Sequence, residues 1–151
     1  AFVRMDPERT RTRRLVGAAL RRAREASPDL LVASLHWGPN WETRPARTQR
    51  RFARWLVDRG VDVVHGHSAH VIQGIEVRAG RPIVYDAGDF VDDYLVKPAL
   101  HNDRSVLFEL VVADGRLDRL RILAILLALG IGLGVGLLWR GRVVVQGTQS
   151  L

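Results

Sequence analysis

The chain has no cysteine and a single lysine, Lys97, among its 151 residues. The first absence excludes disulfide frameworks, thiolate metal sites and cysteine nucleophiles, and removes cysteine usage as a guide to compartment. The second makes the basic charge almost wholly arginine. The net charge is +7 at pH 7, and Arg4, Arg9, Arg11, Arg13, Arg14, Arg21, Arg22 and Arg24 crowd the first part of the chain. A basic balance suits nucleic acid, anionic lipid or an acidic polymer as partner, and equally a solvated helix face. Aromatic residues are only 7%. They are not interleaved with the arginines of the basic first helix and no nucleic-acid motif is present, so nucleic acid is not the expected partner. Hydrophobic residues at 47% and charged residues at 26% describe a globular chain, and its length suits one domain. There is no internal repeat. The opening Ala1-Phe2-Val3-Arg4 carries no initiator methionine or signal-peptide pattern and reads as an internal position of something longer.

Local pattern predicts an α/β order. Asp6-Pro7-Glu8 reads as a helix start, and Leu15, Val16, Ala19, Leu20 and Ala23 form a narrow apolar stripe that Ser27-Pro28 ends. Leu30 to Leu35 is a nearly continuous apolar run, the mark of a strand buried on both faces. Pro45 opens a second helix with Gln49, Phe52, Ala53 and Leu56 on one face and Gly60 as its cap. Val61 to His65 is the next strand, so strand, helix and strand make a βαβ unit with parallel neighbours. A hairpin is expected over 75–85, turning at Ala79-Gly80-Arg81-Pro82. Another is expected from Ser105 to Val112, through Asp114-Gly115, onward from Leu117.

His36 follows the first strand directly, and Gly66-His67-Ser68-Ala69-His70 follows the second. Ligands of open α/β sheets collect at the carboxyl ends of strands, so both clusters belong to one edge. Neutral imidazole binds zinc, iron and manganese, and Gly66 would let the backbone turn so that His67 and His70 converge. Spacing alone leaves open whether these are metal ligands or satisfied polar residues. His65 is read as structural, pointing opposite to His67, and His101 as incidental in a polar loop.

Four ordered segments carry a resemblance. Ser34-Leu35-His36-Trp37-Gly38 with Glu42 resembles the H-W-G-x-E segment of the bacterial CapA family of capsule and poly-gamma-glutamate synthesis proteins. Pro45 with Gln49, the stretch from Asp62 to Glu76, and Arg81 to Phe90 resemble the segments that follow it, so the likeness runs over about residues 7–120. It implies a calcineurin-like metallophosphoesterase fold, an α/β/β/α sandwich, of which 1–121 would be the carboxyl-terminal part. It implies that His36, His67 and His70 are catalytic metal ligands for a divalent ion (Mn, Fe or Zn). It implies that Glu42, Tyr85 and Asp89 line the same cleft, and that the ligand is an anionic polymer such as poly-gamma-glutamate or a phosphoester. Asp89 stands where many relatives have asparagine. The family's acidic motifs, which supply the remaining ligands, have no counterpart in residues 1–29, so the resemblance implies an incomplete site with little or no turnover. A non-catalytic protein handling an anionic polymer is the other reading.

Ile122 to Trp139 contains no charge and lies between Arg121 and Arg140. As a helix rising about 1.5 Å per residue it would span roughly 27 Å, near the thickness of a bilayer core. Trp139 would sit at an interface, and Gly130, Gly132, Gly134 and Gly136 form small-xxx-small pairs. Residues 122–139 are therefore expected as a transmembrane helix, with a short basic and polar tail at 140–151 and a place at the bacterial cell membrane. A buried or aberrant ending is the alternative, since those glycines cost about 1 kcal/mol each in a helix.

Overall fold

The computed structural model describes residues 8–89, 95–102, 104–113, 116–126 and 139–140. Helix α1 spans Thr10–Glu25; the expected start at Asp6-Pro7 lies outside the described residues. Strand β1 is Val32–His36, helix α2 is Arg47–Asp58 and strand β2 is Val63–His67. Strands β3, Ile75–Arg78, and β4, Arg81–Val84, follow. The order in the sheet is β1-β2-β4-β3. The first three of these are mutually parallel, and β3 pairs with β4 antiparallel.

The βαβ expectation holds, and the reason is in the helix between the strands. Phe52, Ala53, Leu56 and Val57 of α2 are buried with Val61, Val64, Ile83 and Tyr85. Ala33 and Leu35 of β1 pack on the same cluster, as do Val16 and Leu20 of α1. Both helices thus cover one face of the sheet. The start of α2 is tightened by Gln49, whose side-chain oxygen accepts the Ala46 N–H at 2.7 Å. Gly60, at φ +84°, follows α2 in the left-handed conformation expected of a helix stop. Arg24 of α1 donates to the Gly60 carbonyl at 2.7 Å and Arg81 of β4 to that of Val57 at 3.2 Å, so two arginines satisfy carbonyls at the negative end of α2. Arg13 and Arg59 lie 5.6 and 5.2 Å from the centroid of the Trp55 ring. Part of the arginine excess is therefore packing and capping, not a free basic face.

Two strand expectations need correction. The run from Leu30 was read as doubly buried, yet Val32 is 48% exposed and Ser34 and His36 are exposed. Among the described residues β1 pairs only with β2, which makes it an edge. The β3–β4 turn is also shorter than expected: Ala79 and Gly80, at φ 49° and 73°, form a two-residue connection with both dihedrals positive.

The larger correction concerns the carboxyl-terminal run. Strand β5, Arg104–Ala113, pairs antiparallel with β6, Arg116–Leu126, and β7, Trp139–Arg140, adds to β6. Ile122 to Leu126 are thus strand residues, with Ile122 opposite Phe108 and Leu126 opposite Arg104. Among the described residues no helix is long and apolar enough to cross a membrane. The transmembrane helix over 122–139 is overturned on this point; its stretch 127–138 lies outside the described residues, as does the tail from 141. The physical reason is register. An antiparallel partner for a ten-residue arm must be about as long, and hairpin pairing carries β6 past Arg121 into the apolar run. The architecture is mixed α/β with two sheets. Helices covering the second sheet, which an α/β/β/α layering requires, are absent among the described residues.

Candidate functional site

Because β1, β2 and β4 run parallel, their carboxyl ends open on one edge, and three loops leave from it: 37–46, 68–74 and 85–89. Register places His36 beside His67 and Ser34 beside His65. The His36 and His67 rings meet edge to face with centroids 5.2 Å apart. The His65 ring lies 5.6 Å from that of His67, and its Nδ1 is 3.0 Å from the Ser34 hydroxyl. His65 was expected on the face opposite His67. Residues two apart in a strand share a face, and the structure puts them side by side. Burial, and then the neighbouring His65 and His36, hold the His67 pKa below its ordinary value, with Asp86 opposing weakly. A neutral imidazole results near pH 7.

His70 sits apart from this row. Its Nδ1 is 3.0 Å from both oxygens of Asp89, and its ring lies 5.2 Å from that of Trp41. With Nδ1 engaged by a carboxylate, the neutral ring leaves Nε2 as its accepting nitrogen, the arrangement found behind many metal-bound histidines. The structure thus brings Asp89 to His70. Glu42 is exposed at the loop surface, and its backbone carbonyl accepts the side-chain N–H of Gln73 at 2.8 Å. Tyr85 does not face this edge openly. It is buried, its ring stacks near Trp37, and its hydroxyl donates to Glu76 at 2.7 Å. Burial, and then the Glu76 hydrogen bond, push the tyrosine pKa far up. Glu76 is pushed up by burial, but hydrogen bonds from Arg54 and Tyr85 outweigh that and hold it below its ordinary value. His101 lies at the end of a 3₁₀ turn, Pro98–Leu100, with φ 50°.

Gly66 has a different purpose from the turn first assigned to it. It lies within β2, where a Cβ would come 2.0 Å from the Tyr85 carbonyl oxygen and 2.5 Å from Trp37 Nε1. The indole N–H donates to that same carbonyl at 2.8 Å. Only hydrogen leaves room for this crossing. The local turn comes instead from Ser68 and His70, at φ 129° and 58°, and across the cleft Trp41 is at φ 72°. Such non-glycine positive dihedrals cost free energy and persist where surrounding contacts hold them.

Those contacts centre on Asp86, which the sequence reading passed over. It is 1% exposed and accepts the Ala69 N–H at 2.8 Å and the Gly88 N–H at 3.0 Å. It therefore ties the turn carrying His67 and His70 to the loop carrying Asp89. Trp41 joins the same frame through its N–H, 2.8 Å from the Ala69 carbonyl. The available signal was a carboxylate placed two residues after a buried strand, where an unpaired charge is costly.

Whether these residues suit a metal can be judged from the donors. His67 held neutral and His70 backed by Asp89 suit ligation. Yet among the described residues no group of three or more His, Asp or Glu side chains is placed to hold one ion. Three nearby carboxylates are engaged: Asp86 with backbone amides, Asp89 with His70, and Glu76 with Arg54 and Tyr85. The described donors do not make a complete metal centre.

Comparison with known proteins places this arrangement. The family of bacterial capsule synthesis proteins, PGA_cap, matches residues 3–94. A probable polyglutamine synthesis accessory protein of Mycobacterium tuberculosis is 48% identical over 66 residues, 44% of this chain and 17% of that protein. The PGA biosynthesis protein CapA of Bacillus subtilis is 42% identical over 65 residues, 43% of this chain and 17% of the relative. The capsule biosynthesis protein CapA of Bacillus anthracis is 36% identical over 70 residues, 46% of the chain and again 17% of the relative. The matching stretch thus spans about a sixth of the length of these relatives. With the histidine segments, the α2 helix and the Arg81–Asp89 segment all inside the matched residues, this chain belongs to the bacterial capsule synthesis protein family PGA_cap.

Proposed function

We propose that this chain serves capsule or poly-gamma-glutamate biosynthesis as the imidazole-bearing part of a cleft for an anionic ligand, and that by itself it binds and does not turn over. One observation supports this most. Histidines gather at the strand ends, while Asp86, Asp89 and Glu76 are already bonded to backbone amides, His70 or Arg54. Hydrolysis at paired metal ions needs carboxylates free to bridge and neutralise them. Imidazoles without such carboxylates favour binding. The name of one relative, PGA biosynthesis protein CapA, points to the anionic polymer poly-gamma-glutamate as the ligand.

The test uses the full chain with Mn²⁺, Fe²⁺ or Zn²⁺ in turn. Hydrolysis of phosphomonoester and phosphodiester chromogens is expected to stay at the buffer rate. Binding of poly-gamma-glutamate is expected at low ionic strength and should weaken steeply with added salt. Metal-dependent turnover would overturn the reading. A second reading, a phosphoesterase-like centre completed by groups beyond these residues, is favoured by the lowered pKa of His67 and by the Asp89-backed His70. Under it, alanine at His36, His67 or His70 should reduce divalent-ion uptake in calorimetry, whereas polymer binding should respond more to arginine substitutions.

A further inference from the structure

The only lysine of the chain stands at this cleft. The Lys97 ammonium lies 4.3 Å from the centroid of the Trp41 ring, and Trp41 in turn lies against His70. Three chain segments therefore meet here: the loop after β1, the turn after β2 and the segment 95–102. Lys97 is held there from behind. Asn102, buried, accepts the Lys97 N–H at 2.6 Å and donates to the Leu95 carbonyl at 2.7 Å, closing the segment around the 3₁₀ turn. Among the described residues no carboxylate lies within ion-pair distance of the Lys97 ammonium. By contrast Arg51, Arg54, Arg78, Arg81 and Arg121 all have carboxylate partners. The family match ends at residue 94, so Lys97 lies beyond it.

We propose that Lys97, seated on Trp41, grips an oxyanion of the ligand, a carboxylate or a phosphate, at this edge of the cleft. A compact ammonium with three donors suits either group. The aromatic face orients the charge without neutralising it, as an acidic partner would. The fixed backbone reduces the ordering that binding must impose. The proposal rests on the reading of the cleft as an anion site.

Because Lys97 is the sole lysine, its reactivity can be followed in the full chain. The protein is treated with an amine-acylating reagent, and peptide mapping compares Lys97 with the terminal amine as internal control. Poly-gamma-glutamate and inorganic phosphate are tested separately, against chloride at matched ionic strength. Slower acylation of Lys97 by either anion, relative to the terminal amine, supports the proposal. Protection by the polymer alone identifies a carboxylate source, and protection by phosphate alone a phosphoester source. Lys97→Met keeps the apolar stem, and should weaken binding of the protecting anion about tenfold, as expected for one charged hydrogen bond. Lys97→Arg should bind within about twofold of the parent, since charge and ring contact are retained. If phosphate protects Lys97 while the polymer does not bind, the polymer reading fails and Lys97 stands. If the polymer binds without protecting Lys97, or Lys97→Met binds as the parent does, the proposal is overturned.

Discussion

Replacing Asp86 by alanine removes the acceptor on which the cleft loops hang. Two backbone donors, the N–H groups of Ala69 and Gly88, lose their partner at 2.8 and 3.0 Å. Ala69 is 1% exposed, so water does not readily replace the lost oxygen. A hydrogen bond to a charged group contributes about 1.5–3 kcal/mol, and a stranded buried donor costs a further ~1–3 kcal/mol. Against this, removing a buried carboxylate recovers several kcal/mol of its desolvation cost. The net expectation is a loss of about 2–4 kcal/mol, a size typical of broken buried networks. Asp86→Asn keeps one acceptor oxygen and should lose about half as much. Urea unfolding followed by tryptophan fluorescence measures both variants. Amide exchange at Ala69 and Gly88 localises the effect, since those two protons should exchange faster than amides in β2. Unfolding of Asp86→Ala within about 0.5 kcal/mol of the parent, the range of a featureless surface substitution, would refute the reasoning.

Gly66→Ala should destabilise by about 3 kcal/mol or more, the upper range for overpacking, because the clash is with a backbone carbonyl that a rotamer change cannot relieve; a folded variant with an unchanged urea midpoint would contradict the crossing. Tyr85→Phe removes the hydroxyl donor to Glu76 and should cost about 1 kcal/mol in the same assay. The folded pKa of Glu76 lies below its unfolded value, so its ionised form contributes stability that is complete above pH 4.5 and is lost as pH falls through the lower folded value. Parent and Glu76→Gln unfolding curves, compared from pH 7 to pH 3, should therefore converge at the acid end. A gap that persists there would assign the effect to packing.

Legibility followed range. The α2 stripe of Phe52, Ala53 and Leu56 and the strand around Val63 were readable because their periods are set by backbone geometry within a dozen residues. The histidine edge was readable too, since parallel strands send successive loops to one end. Tertiary partners decided the remainder. Among the described residues β1 has β2 alone as a strand neighbour, which leaves the apolar Val32 exposed, and the length of β5 drew Ile122 to Leu126 into a strand where local composition suggested a helix.

The sequence by itself determined the βαβ frame, the family segments and the presence of His36, His67 and His70 at strand ends, because each depends on spacing along one chain. Only the tertiary structure decided how these groups are shared out. It gave His70 to Asp89. It buried Tyr85 against Glu76, made Asp86 the tie between loops, and placed Lys97 on Trp41. Those pairings join residues from 9 to 56 positions apart in the numbering. The longer ones depend on which loops the sheet brings together, and burial then determines which charges keep a partner.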